Sequence, residues 1–390
     1  MRYDAIVVGG GVGGAAFACA LARDGGRVLV LEREPWFRDR IRGEGIHPWG
    51  VAELRELALE GVVESVAETV VFWKTHVGGT SVSARPLAET SRSRAPGLDA
   101  HHPELQEALL RAAEDAGATV RRGVRVTGVR RGTPAIVISA TESWQGELVV
   151  LADGRGSTMA RDLGFCVDEE PTPMLVSGML VSDVRGATNA VSVFFPPSFG
   201  AVALHFPLPG GRARLYVAAH ERSTEAARFS SAGDVRAFLE ACRRLGVSSG
   251  HLEGARPSGP LATFQTSSRF TLAPAAEGVV LVGDAAGNVD PALGSGLSLA
   301  FRDARVLATV LRREGSRDAA LRAYAEMRRE YHSALLRVES WTRRILYTPG
   351  SDGDALRARC LDRMPALGID LIGAGPESRS DAATERALFE

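Results

Sequence analysis

The chain opens on a run, Tyr3 to Val8, that is almost wholly apolar and does not alternate with polar residues. That is the pattern of a strand buried on both faces of a parallel sheet. A glycine cluster follows, then helix formers from Ala15 to Arg23 stopped by Gly25-Gly26. A second apolar strand then runs from Arg27 to Leu31 and ends at Glu32. Residues 101–117 carry Leu105, Ala108, Leu109, Ala112 and Ala113 at helical spacing and close on Gly117. Short strands are predicted over 118–121, 124–130, 134–140 and 147–151. From 173 to 220 the period changes to two, clearest in Val191-Ser-Val-Phe-Phe195 and from Arg212 to Val217, with turns at Pro196-Pro197 and Pro209-Gly210-Gly211. This predicts an antiparallel sheet inserted into an α/β frame. A helix over 234–245, a buried strand over 278–282 and long amphipathic helices over about 296–313 and 317–346 follow. The Pro-, Gly-, Ser- and Arg-rich stretches 84–100 and 222–234 read as loops. The segment after Pro349 has modest periodicity and reads as partly mobile.

Composition narrows the field. The 390 residues are 45% apolar and 24% charged, which sets aside disorder, collagen-like repeats and a disulfide scaffold and leaves room for two or three layers or domains. With 46 basic against 47 acidic residues the formal net charge is -1, so no nucleic-acid partner is expected. Lys74 is the only lysine; Ala, Gly and Arg dominate instead. Cys19, Cys166, Cys242 and Cys360 form no C-x-x-C pair, so neither a dithiol centre nor a metal site is expected, and a reducing compartment suits them. Ala5 to Ala22 carries no charge, but five glycines interrupt it, which is poor for a secretory core or a membrane span. The expectation is a cytoplasmic protein that does not enter a membrane.

Three stretches carry chemistry. Val8-Gly9-Gly10-Gly11-Val12-Gly13-Gly14 contains G-x-G-x-x-G at Gly9, Gly11 and Gly14. The first glycine permits the tight turn, the second lets backbone approach a pyrophosphate, and the third allows close helix–strand packing beside a helix N-terminus. Glu32, about 20 residues on at the end of the second strand, is placed to accept hydrogen bonds from an adenosine ribose. This predicts dinucleotide binding without separating FAD from NAD. Leu281-Val-Gly-Asp-Ala-Ala-Gly287 is a buried strand ending in Gly-Asp, followed by a Pro/Gly-rich turn into a helix. The Asp284 carboxylate suits a ribityl chain, and free N–H groups at the helix start suit an electron-rich ring edge. Leu151-Ala-Asp153-Gly154-Arg-Gly-Ser157 is a third strand end.

In this order the three elements resemble the FAD-dependent monooxygenases of the para-hydroxybenzoate hydroxylase type, over roughly residues 3–345. The resemblance implies a Rossmann-type FAD-binding domain with an inserted antiparallel β-sheet substrate domain and long C-terminal helices. Its segments would be 1–70, 101–170 and 266–315 for FAD, 71–100 and 171–265 for substrate, and 316–390 as a C-terminal helical region. By position it makes Arg42 an arginine near the FAD pyrophosphate, Gln106 a polar contact of the flavin and Asp284 the ribityl ligand. Pro291 would lie near the isoalloxazine, with the Leu297 and Ser298 N–H groups on the flavin pyrimidine. Gly9, Gly11, Val12, Gly13, Gly14, Glu32, Arg33, Asp153, Gly294 and Gly296 complete the implied FAD set. Gly287 stands where the family often has His. The Asp-Gly motif departs at Met159 and Ala160, which bears on nicotinamide-nucleotide docking.

The implied activity is hydroxylation or epoxidation of an apolar, aromatic or polyketide-like small molecule with NADH or NADPH and O2, through a flavin C4a-hydroperoxide. The chain would be a monomer or weak dimer. No side chain need act as a nucleophile. His47 and His205 are candidate catalytic bases, with His76 and Glu44 behind them. Phe194, Phe195, Leu204, Phe206 and Tyr216 are candidate pocket residues on the substrate sheet. Three other readings stand beside this one. A geranylgeranyl-reductase-like flavin reductase suits Asp290-Pro291. A flavin-dependent halogenase suits Gly43-Glu44 and Lys74, but its W-x-W-x-I-P signature is missing. A redox-silent flavoprotein is the third.

Overall fold

The computed structural model describes residues 2–41, 43–184, 189–229 and 232–390, and the architecture below is that of the described residues. In the first sheet the parallel strands Val279–Leu281, Ser143–Leu151, Arg2–Val8, Val28–Glu32 and Thr119–Arg122 lie side by side in that order. Ala275–Ala276 adds antiparallel at one edge, and Ala135–Ser139 with Val126–Arg130 extends antiparallel from Ser143–Leu151. The lack of alternation in the central strands has a direct cause. Ala5, Val7, Val28 and Val30 pack in the cluster that holds helix Val12–Arg23, while Ile6, Val8, Leu29 and Leu31 pack with Val137 and Trp144 on the other face. Helix Val12–Arg23 is itself buried along most of its length, between this sheet and helices His102–Asp115 and Gly296–Arg313.

The second sheet runs in the order Arg256–Phe270, Asp168–Ser182, Arg212–His220, Ala201–Leu208, Ala190–Phe195, Phe72–Val77, Thr80–Pro86. It is antiparallel except where Ala190–Phe195 meets Phe72–Val77. Its two-residue period assigns alternate side chains to opposite faces. Val193, Phe195, Leu204, Phe206 and Tyr216 face the interior between the sheets. Phe194, Ala203, Leu215 and Val217 face the other way, into a separate core with Phe238, Ala241 and Cys242 of helix Val235–Arg244.

The long helices lie at Gly296–Arg313 and Arg317–Tyr347, where Ser316 caps the second by accepting the Ala319 N–H at 3.2 Å. Two segments depart from the sequence expectation, 84–100 and the chain beyond Pro349, and Arg256–Phe270 carried no expectation. Within 84–100 the chain completes strand Thr80–Pro86, makes the short helix Leu87–Thr90 and adds strand Gly97–Ala100 to a small third sheet. Arg256–Phe270, rich in Ser, Thr, Gly and Pro, is a 15-residue strand because Asp168–Ser182 offers it a partner along its length. Beyond Pro349 the chain folds into Gly350–Cys360 and Ala382–Phe389, with Cys360 and Leu388 fully buried and the Cys360 thiol donating to the Leu388 carbonyl at 3.2 Å.

Candidate functional site

Strand Arg2–Val8 delivers the glycine loop against the turn that follows Ser143–Leu151. At Gly9, with φ of +103°, a Cβ would stand 2.4 Å from the Ala152 carbonyl oxygen, and at Gly14 it would stand 2.2 Å from the Gly9 carbonyl oxygen. Both positions are closed to any side chain by packing between the first and third motifs. Gly11 differs. The nearest heavy atom to a Cβ there is Gln106 Nε2 at 3.6 Å, an ordinary contact, and the position lines the cavity. Gly11 also caps helix Val12–Arg23: Ala15 N–H donates to its carbonyl at 2.8 Å, and the N–H groups of residues 12–14 have no intrahelical acceptor. A helix N-terminus with free N–H groups and an open approach is an anion cradle. Glu32 is fixed beside it, accepting the N–H of Gly10 at 2.7 Å and of Glu34 at 2.8 Å.

The second motif is held from behind by a buried charge cluster. Asp303 accepts the Gly283 N–H at 2.8 Å, the Arg328 Nε at 3.0 Å and the Tyr331 hydroxyl at 2.5 Å. Arg328 also donates to the Gly287 carbonyl at 3.2 Å, and the Tyr324 hydroxyl donates to the Leu281 carbonyl at 2.9 Å. Both Asp303 and Arg328 are fully buried. A Cβ on Gly287 would lie 2.5 Å from the Arg269 carbonyl oxygen, which explains glycine where the resembled family often has His. Downstream, Asp290 accepts the Ala292 N–H at 3.0 Å and pairs with Arg343 at 3.0 Å, shaping the turn Pro291–Leu293. Glu339 accepts the Asp290 N–H at 3.0 Å, and burial pushes its carboxyl up to about 8. Helix Gly296–Arg313 then starts, with its first three N–H groups outside its own ladder.

These loops wall a cavity of about 1140 Å³. Of the residues predicted from sequence, Gly9, Gly11, Val12, Gly13, Glu32, Arg33, Gln106, Asp153, Asp284, Pro291, Gly294, Gly296 and Leu297 line it. Gly14 and Ser298 stand behind the wall. The Ser298 hydroxyl accepts the His47 backbone N–H at 3.0 Å, and a Cβ on Gly50 would touch it at 2.3 Å. Arg42 lies outside the described residues. Burial raises the Asp153 carboxyl above its ordinary value, and its Oδ1 has no hydrogen-bond partner among the described residues. An orphaned acceptor on a cavity wall suits a polar ligand.

His47 lines the cavity and sits beside Gly294; burial depresses it to about 4, so it is uncharged near neutrality. His205 is not brought to the cavity. It lies on the far face of the sheet with His76, Phe194 and His251, and burial depresses it to about 3. Phe194 stacks on His76 at 4.5 Å there, whereas Phe195, Leu204, Phe206 and Tyr216 reach the cavity as expected. Adjacent residues of one strand must point to opposite faces, and that separates Phe194 from Phe195. Lys74 shares the far face, in register with Ser192 as His205 is.

The sheet end of the cavity is apolar: Trp73, Val176, Val193, Phe195, Leu204, Phe206, Ala218 and Phe264, with Leu346, Tyr347, Leu361, Leu371 and Ile372 from the C-terminal part of the chain. These last residues lie too far apart in sequence for periodicity to find them. The charged group on this wall is Glu44, and it is engaged. It accepts Arg214 Nε at 2.8 Å and the Tyr216 hydroxyl at 2.6 Å. Burial raises Glu44 to about 7 against the pull of Arg214. Arg214 also holds Asp39 at 2.7 Å; burial raises that carboxyl, but bonds from His101 and Arg214 outweigh it and keep it below the ordinary range. Exposed arginines, Arg33, Arg38, Arg40 and Arg125, gather instead at the solvent end. Among the described residues no cluster of three or more His, Cys, Asp and Glu is arranged to hold a metal ion, and no helix is long and apolar enough to cross a membrane.

Residues 2–339 match the family described as FAD binding domain. The chain is 27% identical to a ubiquinone hydroxylase of Rhodospirillum rubrum over 321 residues, 78% of this chain and 71% of that protein. It is 27% identical to a menaquinone reductase of Mycobacterium tuberculosis over 335 residues, 81% of this chain and 78% of that protein. The fold is shared with p-nitrophenol 4-monooxygenase from Pseudomonas putida, at a TM-score of 0.80 and 20% identity over 97% of this chain and 99% of that one.

Proposed function

This chain belongs to the FAD binding domain family and is an FAD-dependent monooxygenase, a hydroxylase; from that premise we propose that it takes electrons from NADH or NADPH and oxygen from O2 to hydroxylate or epoxidise a neutral, apolar small molecule. The supporting observation is the two-ended cavity. At about 1140 Å³ it exceeds the roughly 300–1,000 Å³ of a single small-molecule site, so it has room for a cofactor and a substrate. One end offers two helix N-termini, two acidic groups and an orphaned carboxyl oxygen; the other offers alkyl and aromatic side chains.

In this reading Gly11 and the N–H groups of residues 12–14 would hold the FAD pyrophosphate, and Glu32 the adenosine ribose. Asp284 would hold the ribityl chain, Gln106 and Pro291 would meet the flavin, and the Leu297 and Ser298 N–H groups would face its pyrimidine edge. Bound FAD supplies the two-electron transfer and the oxygen activation. The chain's own work is placement and exclusion of water: Trp73, Phe195, Leu204 and Phe206 supply apolar surface on this wall, and its Glu44 and Tyr216 are bonded to each other. Neutral His47 offers a hydrogen-bonding nitrogen without a charge. An anionic substrate is disfavoured, because Arg214, the cation behind this wall, is already committed to Asp39 and Glu44.

Because one relative is named as a menaquinone reductase, the use of O2 is the part of this proposal that most needs a test. The halogenase reading loses its lysine, since Lys74 does not line the cavity. The test is to add NADH or NADPH to the yellow protein without air and then admit O2, following the flavin absorption band. Bleaching followed by recovery is expected. No bleaching with either nucleotide would overturn the proposal.

A further inference from the structure

We propose that the segment carrying Leu361, Leu371 and Ile372 determines substrate size, its three side chains forming the stop against which an apolar substrate ends. The inference rests on the reading of the cavity's apolar end as the substrate site. The family match closes at residue 339, and all three residues lie beyond it, yet they line the same cavity as Trp73 and Phe195. What distinguishes this enzyme's substrate is then written in a part of the chain that the cofactor does not constrain.

A stop must be stiff, and this one is pinned on both sides. Arg85, on the strand at the edge of the second sheet, grips both oxygens of Asp370 at 2.8 and 2.6 Å, the two-pronged geometry that fixes orientation as well as distance. Asp370 also accepts the Gly373 N–H at 2.9 Å, and its own N–H donates to the Ser378 hydroxyl at 3.1 Å. The backbone presses directly on its supports: a Cβ on Gly373 would lie 3.1 Å from Ser91 Cα, and one on Gly375 would lie 2.4 Å from Trp49 Nε1. On the other side Arg357 lies 4.6 Å over the Phe199 ring and donates to the Thr348 carbonyl at 2.8 Å, anchoring the helix that ends just before Leu361. Leu371 and Ile372 sit between these clamps, next to the Asp370 grip.

Rigid alkyl side chains that stop a substrate reject length rather than polarity. Each substrate methylene that fits is worth about fourfold in affinity, and the first that does not fit meets packed protein. The test uses the FAD-loaded protein and a series of 4-n-alkylphenols from ethyl to nonyl, titrated while the flavin absorption and the tryptophan fluorescence are followed. Wild type is expected to bind more tightly with each methylene up to a limit and then more weakly. Leu371→Ala with Ile372→Ala should move that limit to a longer chain by about two methylenes, and Leu371→Phe should move it to a shorter one. Ile372→Val, which removes a single methylene, gives a smaller shift in the same direction should the double variant lose its FAD. An unmoved limit in variants that retain FAD overturns this inference and leaves the apolar site standing. Failure of every alkylphenol to perturb wild type overturns the reading of the site, and the inference with it.

Discussion

Gly11 lines the cavity with only Gln106 near where a side chain would start, and in the proposed reading the cofactor's pyrophosphate lies against it. Gly11→Val should therefore purify without the yellow chromophore while keeping the wild-type far-ultraviolet circular dichroism; a yellow variant with full FAD content would contradict the assignment. His205 is a buried base on the far face of the second sheet, beside His251. Both of its ring nitrogens are buried without a hydrogen-bond partner among the described residues, and its folded pKa of about 3 lies below the ordinary 6.5. The unfolded chain thus takes up the proton first, so this group's contribution to stability is present above pH 6.5 and is lost as pH falls toward 3. His205→Leu should lose about 2 kcal/mol less stability than wild type between pH 7 and pH 4.5 in urea unfolding. Equal losses in the two proteins would argue that the His205 ring is not held neutral.

The Gly-Asp loop depends on elements behind it, on helices Gly296–Arg313 and Arg317–Tyr347. Asp303→Ala would strip Arg328 of its carboxylate partner inside the protein. Breaking a buried pair in this way costs about 3–5 kcal/mol, and it also frees the Gly283 N–H. Urea unfolding should show that loss, together with weaker FAD retention; a change below about 1 kcal/mol would mean the cluster does not hold the loop. The loop itself was legible in the sequence, as were the glycine turn and Glu32, because each is a strand end followed by a turn whose chemistry is local. Helix Gly296–Arg313 was legible to the residue because its apolar stripe is continuous. The Asp303–Arg328 pair was not, since nothing local distinguishes a buried charge from a solvated one on an amphipathic helix. Nor was Glu44 with Arg214, which are 170 residues apart. Strand Arg256–Phe270 was hidden by its polar composition, and its order comes from its partner strand. The helices after Pro349 were hidden for a related reason: clamps such as Arg85 with Asp370 do for them what a strong apolar period does elsewhere.

At the scale of the molecule, two sheets and the C-terminal helices enclose one space with a polar end and an apolar end, and the enzyme's chemistry follows from that division. Family membership fixes the cofactor. The apolar wall supports a neutral substrate, and the oxygen-dependent reading separates this enzyme from a reductase built on the same frame. The most direct check is mass spectrometry of the product formed from a 4-n-alkylphenol that binds, with NADH or NADPH under ¹⁸O2. The product is expected to carry one labelled oxygen atom, with no label when the heavy isotope is supplied as water. A product that has gained hydrogen and no labelled oxygen would contradict it.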